Sequence, residues 1–385
     1  MVAERVGIHG IGVVSGYGWG RELLWDGLVT GKPAAVPTTS DKPGETMWLA
    51  RVPAGGSPND GPSRFARAMR AAAREAIDDA GARGWRAGPR VGLLHAIVLG
   101  EVELWREFYT ERDGRLPLRE YLALMPSTPM STLMQEYGFH GPAMTVSAMC
   151  ASGNAGLITA KAWLDAGIVD DVVFVATDLS LTPENIRHFV RLGVAVTKLE
   201  PLDACRPFQE GSRGFILGEA SVSFVLSARP GRPYAYTLGG AMSHDAHHVT
   251  SIEPSLSAIF ACVRDALTVA GVPASDVRYF NAHGPGTAQC NRAESAVLDQ
   301  LFPPDTGVYS VKPLTGHCQG AASAIEVAVT ALGYERGLIP APPIVAPAHP
   351  QLLDGPTPAG GGITVKSSIG MGGHNSAVVL AAPAS

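Results

Sequence analysis

The sequence predicts an α/β protein whose sheets are covered by helices, and three observations indicate this. Short runs rich in β-branched residues, such as DVVFVATD, alternate along the chain with helical segments such as FARAMRAAAREAIDDAG. The 385 residues can bury a large core and, at roughly 150 residues a domain, predict two to three domains. Only 17% of the residues are charged whereas 46% are hydrophobic, so much of the chain must be buried.

Composition also excludes several classes of function. The 45 glycines and 30 prolines together stay below the share that marks low-complexity disorder. The net charge of −5, without any dense run of Lys or Arg, argues against a nucleic-acid partner. We expect no membrane span, because no apolar stretch of about 18 residues occurs, and no signal peptide before the first strand. The five cysteines are odd in number and form no CxxC pair, which predicts a reducing, cytoplasmic environment.

The elements of the first half follow from local composition. RVGIHGIGVV is predicted to be a strand that ends at Gly16, and the segment ELLWDGLV is predicted to be a helix. Residues 34–62 are rich in Pro, Gly, Thr and Ser and are predicted to form a surface loop. Helix formers dominate FARAMRAAAREAIDDAG, which we expect to stop at Gly81. The next elements are predicted in the order strand VGLLHAIVLG, strand AMTVSAM, helix ASGNAGLITAKAWLDAG ending at Gly167, strand DDVVFVATD and the glycine-interrupted strand GFILGEASVSFVLS.

The second half repeats this style after a Pro- and Gly-rich boundary at 228–236. Its elements are predicted in the order helix PSLSAIFACVRDALTVAG, strand DVRYFNAHG with its turn, helix AESAVLDQLF, strand GVYSV, helix GAASAIEVAVTALGYERG, and final strands GITVKSSIG and NSAVVLAA. One echo links the halves, since TVSAMCASGNAGLITAKAWLDAG and YSVKPLTGHCQGAASAIEVAVTALGYERG both predict a strand, a tight turn and a helix that opens on small residues. The two segments share little identity, so the echo alone is weak support for a duplication.

Cys150 is the first candidate for chemistry. It lies between an apolar strand and a helix whose first residues are small, which allows a sharp turn. The helix dipole favours a thiolate there and predicts a lowered pKa for the thiol. A free cysteine is otherwise most often a small buried hydrophobic residue, and the local sequence leaves both interpretations open.

Two histidines and a lysine occupy comparable turns in the second half. His283 follows a strand in NAHGPGT, where the glycines beside Pro285 let a ligand approach closely. Lys312 and His317 lie between strand GVYSV and the next helix. An imidazole near a helix N-terminus stays neutral and can donate an N–H to a developing oxyanion. The simpler interpretations are a loop histidine and a solvated lysine.

Two further segments invite a functional interpretation. The glycine-rich turn in SSIGMGGHNSAVVL joins two strands, and its N–H groups could line an oxyanion pocket. The histidines from His244 to His248 have a possible zinc spacing, but no separate cysteine or carboxylate set completes the ligands. We therefore expect no metal site.

Taken together, these segments resemble the β-ketoacyl-acyl-carrier-protein synthases of the thiolase superfamily, most closely the type II elongating enzymes. The motifs occur in the family's order over nearly the full chain. TVSAMCASG resembles the nucleophile motif, CRPFQEGSRGFILGEA the RPFD…GFV-GEGA segment, NAHGPGTAQCNRAE the HGTGT loop, VYSVKPLTGHCQGAASAIE the SxKxxxGHxxGAAG segment, and SSIGMGGHNSAVVL the FGFGGxN turn.

This resemblance implies a fold, a reaction and partners. The fold is a thiolase-like five-layered α-β-α-β-α arrangement of two similar half-domains, residues 1–232 and residues 233–385. The reaction is decarboxylative condensation of an acyl chain with a malonyl-type thioester. The implied partners are acyl-carrier protein, which brings its own phosphopantetheine arm, and a second subunit in a homodimer or a heterodimer with a homologue. No metal or diffusible cofactor is implied.

The resemblance also assigns roles to the catalytic positions. Cys150 would carry the acyl chain as a thioester, and His283 and His317 would bind and polarise the malonyl thioester. Lys312 would order the two histidines, acting through Glu294. Cys150 belongs to the N-terminal half, whereas the other four residues belong to the C-terminal half.

Further positions would support these groups or bind the substrate. The amides of Cys150 and Met371 would form the oxyanion hole. Thr287 would contact the pantetheine arm, and Gly370 and Gly372 would line the substrate site.

Several departures from the family pattern surround these positions. Pro285 stands where the family has a threonine, Asn291 where it often has an aspartate, and Ile369 and Met371 where it has phenylalanines. The catalytic residues match the family pattern. The residues that in the family gate the acyl pocket or contact the pantetheine arm differ. This pattern favours specialised, polyketide-type biosynthesis over housekeeping fatty-acid synthesis.

Three alternatives stay open at this point. The chain could transfer or release acyl groups without condensation, or it could hydrolyse thioesters. It could also be a non-catalytic partner subunit like a chain-length factor, although the presence of Cys150 argues against this. Acyl chain length and starter unit do not follow from the sequence.

Overall fold

The computed structural model describes residues 5–39, 46–110 and 118–383. Its strands are β1 Val6–Ser15, β2 Gly18–Trp19, β3 Val36–Thr39, β4 Thr46–Leu49, β5 Val91–Ala96, β6 Ala143–Val146, β7 Asp171–Asp178, β8 Ala220–Ser227, β9 Ala235–His244, β10 Val277–Asn281, β11 Gly307–Tyr309, β12 Leu338–Pro340, β13 Pro356–Pro358, β14 Ile363–Gly370 and β15 His374–Ala381. Its helices are α1 Arg21–Val29, α2 Arg64–Ala82, α3 Val102–Thr110, α4 Leu118–Ala123, α5 Ser127–Tyr137, α6 Ser152–Asp165, α7 Pro183–Arg191, α8 Pro201–Ala204, α9 Ser257–Ala270, α10 Ala288–Leu301, α11 Lys312–Thr315 and α12 Ala322–Arg336.

One mixed sheet of 11 strands runs through the molecule in two similar halves. The first half has the order β6-β5-β7-β8-β1 and the second the order β11-β10-β14-β15-β9. In each half the outer three strands are parallel and the inner pairings are antiparallel. The halves join where β1 pairs with β9 over three residues on each strand.

Helices form three layers around these half-sheets. The small-residue helices α6 and α12 contact each other in the middle and pack on strands of both halves. On the outside, α2 covers β1, β7 and β8, and α9 covers β9 and β15. The predicted five-layered α-β-α-β-α arrangement of two half-sheets is confirmed, because helices lie between the half-sheets and on both outer faces.

The middle layer is possible because α6 and α12 begin with small residues. A Cβ atom on Gly153 would lie 2.5 Å from Ser323 Oγ and 2.8 Å from the amide nitrogen of Ala324. The Ser323 hydroxyl accepts the Asn154 N–H at 2.9 Å, which ties the two helix starts together. The two segments of the sequence echo therefore lie against each other.

Some predicted boundaries differ from the structure. Helix α2 continues through Gly81 to Ala82, and strand β8 starts only at Ala220 because the preceding residues pair with loops instead. Part of the predicted loop 34–62 is a hairpin of β3 and β4, while its residues 40–45 lie outside the described residues.

Candidate active site

The turn between β6 and α6 presents the Cys150 thiol. Met149, just before it, has a left-handed backbone with φ of 50°, which reverses the chain sharply. The Ser152 hydroxyl accepts the Ala148 N–H at 2.9 Å and donates to the Met149 carbonyl at 2.6 Å. These bonds fix the turn, and they leave Cys150 buried at the start of the helix.

Burial dominates the electrostatics of this thiol. It raises the pKa of Cys150 to about 11, although Lys312 and the N–H groups of Met371 and Cys150 itself favour the thiolate. The lowered pKa expected from the helix dipole is therefore wrong, because desolvation outweighs the dipole. Near pH 7 the group is therefore a thiol rather than a thiolate.

The turn between β14 and β15 lies directly against Cys150. A Cβ atom on Gly370 would lie 3.0 Å from the Ala148 carbonyl and 3.3 Å from the Cys150 nitrogen, so glycine avoids a tight contact at this approach. The Ser368 hydroxyl donates to the Cys150 carbonyl at 2.9 Å. The backbone N–H groups of Met371 and of Cys150 itself are both directed at the Cys150 sulfur.

The backbone of His283 is held by a buried carboxylate. Glu294 on α10 accepts the His283 N–H at 2.6 Å and the Gly284 N–H at 2.8 Å, and Ser367 donates to it at 2.7 Å. Gly284 has a φ of 47°, and a Cβ there would clash with Ser310 at 2.5 Å. Glu294 thus shapes the turn that carries His283, while burial raises the pKa of its own carboxyl group.

His283 and His317 form the second part of the site. Their ring centroids are 5.4 Å apart at an interplanar angle of 79°, and the His317 ring also packs edge-on to Phe215 at 4.7 Å. Burial, reinforced by Lys312, lowers the pKa of both imidazoles well below the usual value. Both rings are therefore neutral near pH 7.

Hydrogen bonds to Nδ1 define the tautomers of these rings. Lys312 Nζ, which can only donate, lies 3.4 Å from His283 Nδ1. The Gln319 N–H donates to His317 Nδ1 at 3.3 Å. Each Nδ1 is thus an acceptor, and each ring carries its proton on Nε2, where it can be donated to a ligand.

Lys312 acts on His283 directly rather than through Glu294. Its ammonium donates to the His283 carbonyl and forms an ion pair with Oε1 of Glu326, a buried residue of α12. The expected route from Lys312 through Glu294 is corrected, because Glu294 binds the backbone of the histidine turn and Glu326 is the partner of the lysine.

A second buried lysine completes this charge cluster. Lys366 Nζ on β14 lies 2.7 Å from Glu326 Oε2 and 3.1 Å from the Ala282 carbonyl. Burial lowers the pKa of Lys366 to about 8, although Glu326 opposes the shift. Sequence reasoning missed Glu326 and Lys366. A single charged residue inside the apolar segments GAASAIEVAV and ITVKSSIG was the available signal.

One cavity of about 400 Å³ collects most of the predicted site. It brings together Cys150, His283, His317, Thr287, Gly370, Met371 and Gly372. Lys312 and Glu294 do not line the cavity, and their contacts place them behind the histidine pair. Most of the residues predicted from the sequence therefore line one cavity, and Lys312 and Glu294 hold the histidines from behind.

Three of the positions that depart from the family pattern line the same cavity, whereas Asn291 does not. Pro285, Ile369 and Met371 line it, and Met371 also packs on an apolar cluster that includes Phe189 and Phe215. Asn291 sits in the first turn of α10, where its N–H donates to the Thr287 carbonyl at 2.9 Å.

The remaining sequence candidates have other surroundings. His244 packs against His374 with ring centroids 4.9 Å apart, and the neighbouring Asp245 lines the cavity. Among the residues described, no group of three or more His, Cys, Asp or Glu side chains is placed to hold a metal ion. All five cysteines are buried and free of disulfide bonds, and Cys290 lines the cavity beside Cys150.

Within the described ranges, no helix combines the length and the apolar character needed to cross a bilayer.

Comparisons with known proteins show which family the sequence matches. The model of the β-ketoacyl synthase N-terminal domain matches residues 54–230, and that of the β-ketoacyl synthase C-terminal domain matches residues 234–344. Two similar proteins are the tetracenomycin polyketide synthase ketoacyl synthase alpha subunit of Streptomyces glaucescens and the oxytetracycline polyketide putative β-ketoacyl synthase 1 of Streptomyces rimosus. The first is 31% identical over 88% of this chain and 86% of its own length. The second is 30% identical over 99% of this chain and 98% of its own length.

Solved structures show the same fold. The ishigamide ketosynthase/chain length factor superposes with a TM-score of 0.85 at 27% identity, covering 99% of this chain and 100% of that chain. A type II polyketide synthase acyl-carrier protein in complex with its ketosynthase bound to the hexaketide gives a TM-score of 0.87 at 23% identity, with 99% and 100% coverage.

Proposed function

Because the chain belongs to the β-ketoacyl synthase family, we propose that it catalyses decarboxylative condensation between an acyl chain on Cys150 and a malonyl-type thioester on acyl-carrier protein. The observation that carries this proposal is the arrangement of one cavity. A buried thiol, two amide N–H groups and two neutral histidines line the same space of about 400 Å³.

The loading step uses Cys150 as the nucleophile. Its sulfur attacks the thioester carbonyl of the carrier-bound acyl chain, so a new C–S bond forms while the bond to the pantetheine sulfur breaks. The thiol proton passes to the departing pantetheine sulfur. Burial keeps the thiol protonated at rest, and the charge of Lys312 with the N–H groups of Met371 and Cys150 favours the thiolate as the proton leaves.

The second step uses the histidines as hydrogen-bond donors. The malonyl thioester loses its carboxylate as CO₂, and the electron pair of the broken C–C bond forms an enolate. The Nε2–H groups of His283 and His317 stabilise the enolate oxygen. Two fixed donors at neutral imidazoles stabilise this oxygen without needing a strong base nearby.

Carbon–carbon bond formation then returns Cys150 to its starting state. The enolate carbon attacks the acyl carbonyl on Cys150. The carbonyl oxygen becomes an oxyanion, which accepts hydrogen bonds from the N–H groups of Cys150 and Met371. Collapse of this intermediate expels the thiolate, which takes up one proton. Each turnover thus releases one CO₂ and one 3-oxoacyl thioester. Both substrates arrive as thioesters of phosphopantetheine, and this group belongs to the acyl-carrier protein.

We assign Lys312, Glu326 and Glu294 as supports of this chemistry. Lys312 holds Nδ1 and the carbonyl of His283, and Glu294 holds the N–H groups of its turn. Together they direct the Nε2–H of His283 toward the cavity. Thr287, Gly370 and Gly372 line the path that a pantetheine arm would follow.

The proposed pathway is specialised polyketide-type biosynthesis. Two relatives that align with 88% and 99% of this chain carry names from the tetracenomycin and oxytetracycline polyketide synthases, whereas the chloroplastic 3-oxoacyl-[acyl-carrier-protein] synthase I of Hordeum vulgare aligns with only 64% of this chain. The replaced gate residues Ile369 and Met371 agree with this choice. With five unpaired cysteines, we place the protein in the cytoplasm.

Acyl-carrier protein and a second ketosynthase-type subunit are the proposed partners. Among the described residues, β6 pairs only with β5, so its other edge is open, and Ala143, Met144 and Thr145 are exposed. An open apolar edge of this kind is suited to pairing across a two-fold axis, which would place the interface beside Cys150. The ishigamide relative pairs a ketosynthase with a chain length factor, so the second subunit can be a copy of this chain or a homologue.

We also propose that the chain consists of two half-domains, residues 1–232 and 233–385. The same strand order and the same parallel and antiparallel pairings in both half-sheets support this division. The matches to separate N- and C-terminal family models, which meet between 230 and 234, support it further.

The test is to incubate the protein with acyl-loaded and malonyl-loaded carrier protein and to follow CO₂ and products by mass spectrometry. We expect an acyl adduct on Cys150, release of CO₂ and a 3-oxoacyl carrier product. Acylation of Cys150 without CO₂ release, with several carriers, would instead establish acyl transfer without condensation. No acylation with any carrier would support a non-catalytic subunit.

A further inference from the structure

Gln319 is an unusual residue in the lining of the catalytic cavity. It lies two positions after His317, and its side chain is 2% exposed. Its backbone has a left-handed φ of 46°. Hydrogen bonds on both sides hold it there, since its own N–H binds His317 Nδ1 at 3.3 Å and the Gly320 N–H binds Asp178 at 3.2 Å. The position of this glutamine relative to the histidine is therefore fixed by the fold.

The carboxamide of Gln319 has an unused donor. No acceptor in the described part of the chain forms a hydrogen bond with Nε2, although this atom is fully buried. A buried N–H group without a partner destabilises a folded protein, so its presence in a ligand cavity points to a partner on the ligand. The partner must be a hydrogen-bond acceptor, because the group donates, and the acceptors that acyl chains commonly carry are oxygens.

The two oxygens on which negative charge develops during the reaction already have donors. The acyl thioester oxygen on Cys150 is served by the amides of Cys150 and Met371, and the enolate oxygen by His283 and His317. A saturated acyl chain offers no further oxygen. An acyl chain with a keto, hydroxyl or amide oxygen near its thioester does.

We propose that Gln319 is a specificity-determining residue, which donates from Nε2 to an oxygen on the acyl chain and so selects oxygenated over saturated chains. This inference rests on the proposed function, because it needs an acyl chain on Cys150. It names the substrate feature that the cavity recognises and the side chain that recognises it.

The test isolates the loading step from condensation. Hexanoyl and 3-oxohexanoyl pantetheine thioesters of equal chain length are offered without malonyl substrate, and acylation of Cys150 is timed by intact-protein mass spectrometry. We expect the wild-type protein to load the 3-oxo chain preferentially. Gln319→Leu, which keeps the volume and removes the donor, should reduce that preference by about threefold to tenfold, as expected for one hydrogen bond.

Gln289→Leu is the matched control. Gln289 also lines the cavity, but it is exposed and its amide oxygen already accepts the Ile252 N–H at 2.9 Å. We expect this variant to keep the wild-type ratio of 3-oxo to saturated loading. Equal thermal midpoints for the two variants and the wild type show that the fold is retained, and the ratio of the two substrates is independent of the amount of folded protein.

Other outcomes overturn the inference. An unchanged loading ratio in Gln319→Leu, or a wild-type protein that loads both chains equally, removes the proposed role. A variant that alters only the KM for malonyl decarboxylation would place Gln319 on the malonyl carboxylate instead. If the wild-type protein loads neither chain, nor any acyl-carrier substrate, it is the proposed function that fails.

Discussion

The ammonium group of Lys366 lies 2.7 Å from Oε2 of Glu326, and both side chains are completely buried. Glu326 binds Lys312 through its other oxygen, so one carboxylate joins the lysine that supports His283 to a lysine from the adjacent strand β14. Removing one partner of a buried ion pair leaves an uncompensated charge. The charge of Lys366 should therefore change the electrostatic environment of His283 and His317.

Lys366→Met is predicted to change how malonyl decarboxylation depends on pH. Burial lowers the pKa of Lys366 to about 8, so in the wild-type protein this group loses its charge as the pH rises through that value. Glu326 then has only Lys312 as its cation, and the added negative charge opposes the enolate. We expect the decarboxylation rate of the wild-type protein to fall as the pH rises through about 8. At pH 7 the Lys366→Met variant should be slower than the wild type by a factor on the order of ten, and its pH profile should lack the inflection near pH 8.

Lys161→Met is the control for this experiment. Lys161 is also buried, but it forms an ion pair with Asp165 within α6 at 2.9 Å. Its removal should leave the inflection near pH 8 in place. The same inflection in Lys366→Met would show that another group titrates there.

Replacing either histidine should slow decarboxylation strongly. Each ring supplies one fixed donor, and removal of one such donor typically lowers the rate by about 10² to 10³. We expect His283→Ala and His317→Ala to show losses of this order in CO₂ release, and the Gln variants, which keep an N–H, to lose less.

The pH dependence of CO₂ release checks the protonation state of these rings. Burial and Lys312 hold the pKa of both imidazoles well below 6.5, so neither should titrate between pH 6 and 7.5. An inflection in that range that disappears in a histidine variant would contradict neutral histidines.

Met371→Phe should shift the acyl chains that the protein accepts. Met371 lines the cavity and packs on the apolar cluster that contains Phe189 and Phe215, so a larger ring there narrows the space beside Cys150. Its backbone N–H is unaffected by the change. We expect the product profile to move to shorter chains in a competition among acyl carriers, whereas Met242→Phe, at an exposed methionine of β9, should keep the wild-type profile. An unchanged profile in Met371→Phe would remove the gate assignment.

Met144→Arg should dissociate the proposed dimer. Met144 is an exposed apolar residue on the open edge strand β6, and a pair of arginines across a two-fold axis would repel each other. Size-exclusion chromatography with light scattering should give a monomer for Met144→Arg and a dimer for the wild type and for the exposed-methionine control Met242→Arg. A dimeric Met144→Arg would place the interface elsewhere.

The sequence predicted those parts of the site that short-range patterns encode. Cys150 and His317 each stand between a strand and a helix that begins with small residues, and the structure shows why, since Gly153 lies against Ser323. His283 stands in a turn that only glycine at 284 can form. Motifs of this kind can be recognised in a single sequence because the backbone geometry restricts which residue types fit.

Features that depend on distant segments were not predictable. Glu326 and Lys366 are separated in sequence and meet only when α12 packs on β14. The pKa of Cys150 is set by the amount of protein around the sulfur rather than by its own helix. Strand β9 was missed because Gly239 and Gly240 weaken its strand pattern. The structure explains these glycines, because Gly239 lies against the end of α9 and Gly240 against Ile158 of α6.

The central claim is tested most directly by the ratio of CO₂ released to 3-oxoacyl product formed from acyl-loaded and malonyl-loaded carriers. For the wild-type protein we expect about one CO₂ per product, because decarboxylation supplies the nucleophile for each condensation. For Cys150→Gln we expect CO₂ without product and without an acyl adduct, since the histidines remain and the nucleophile is gone. Product formation by Cys150→Gln, or acylation of the wild-type protein with no CO₂ from any carrier, would contradict the account.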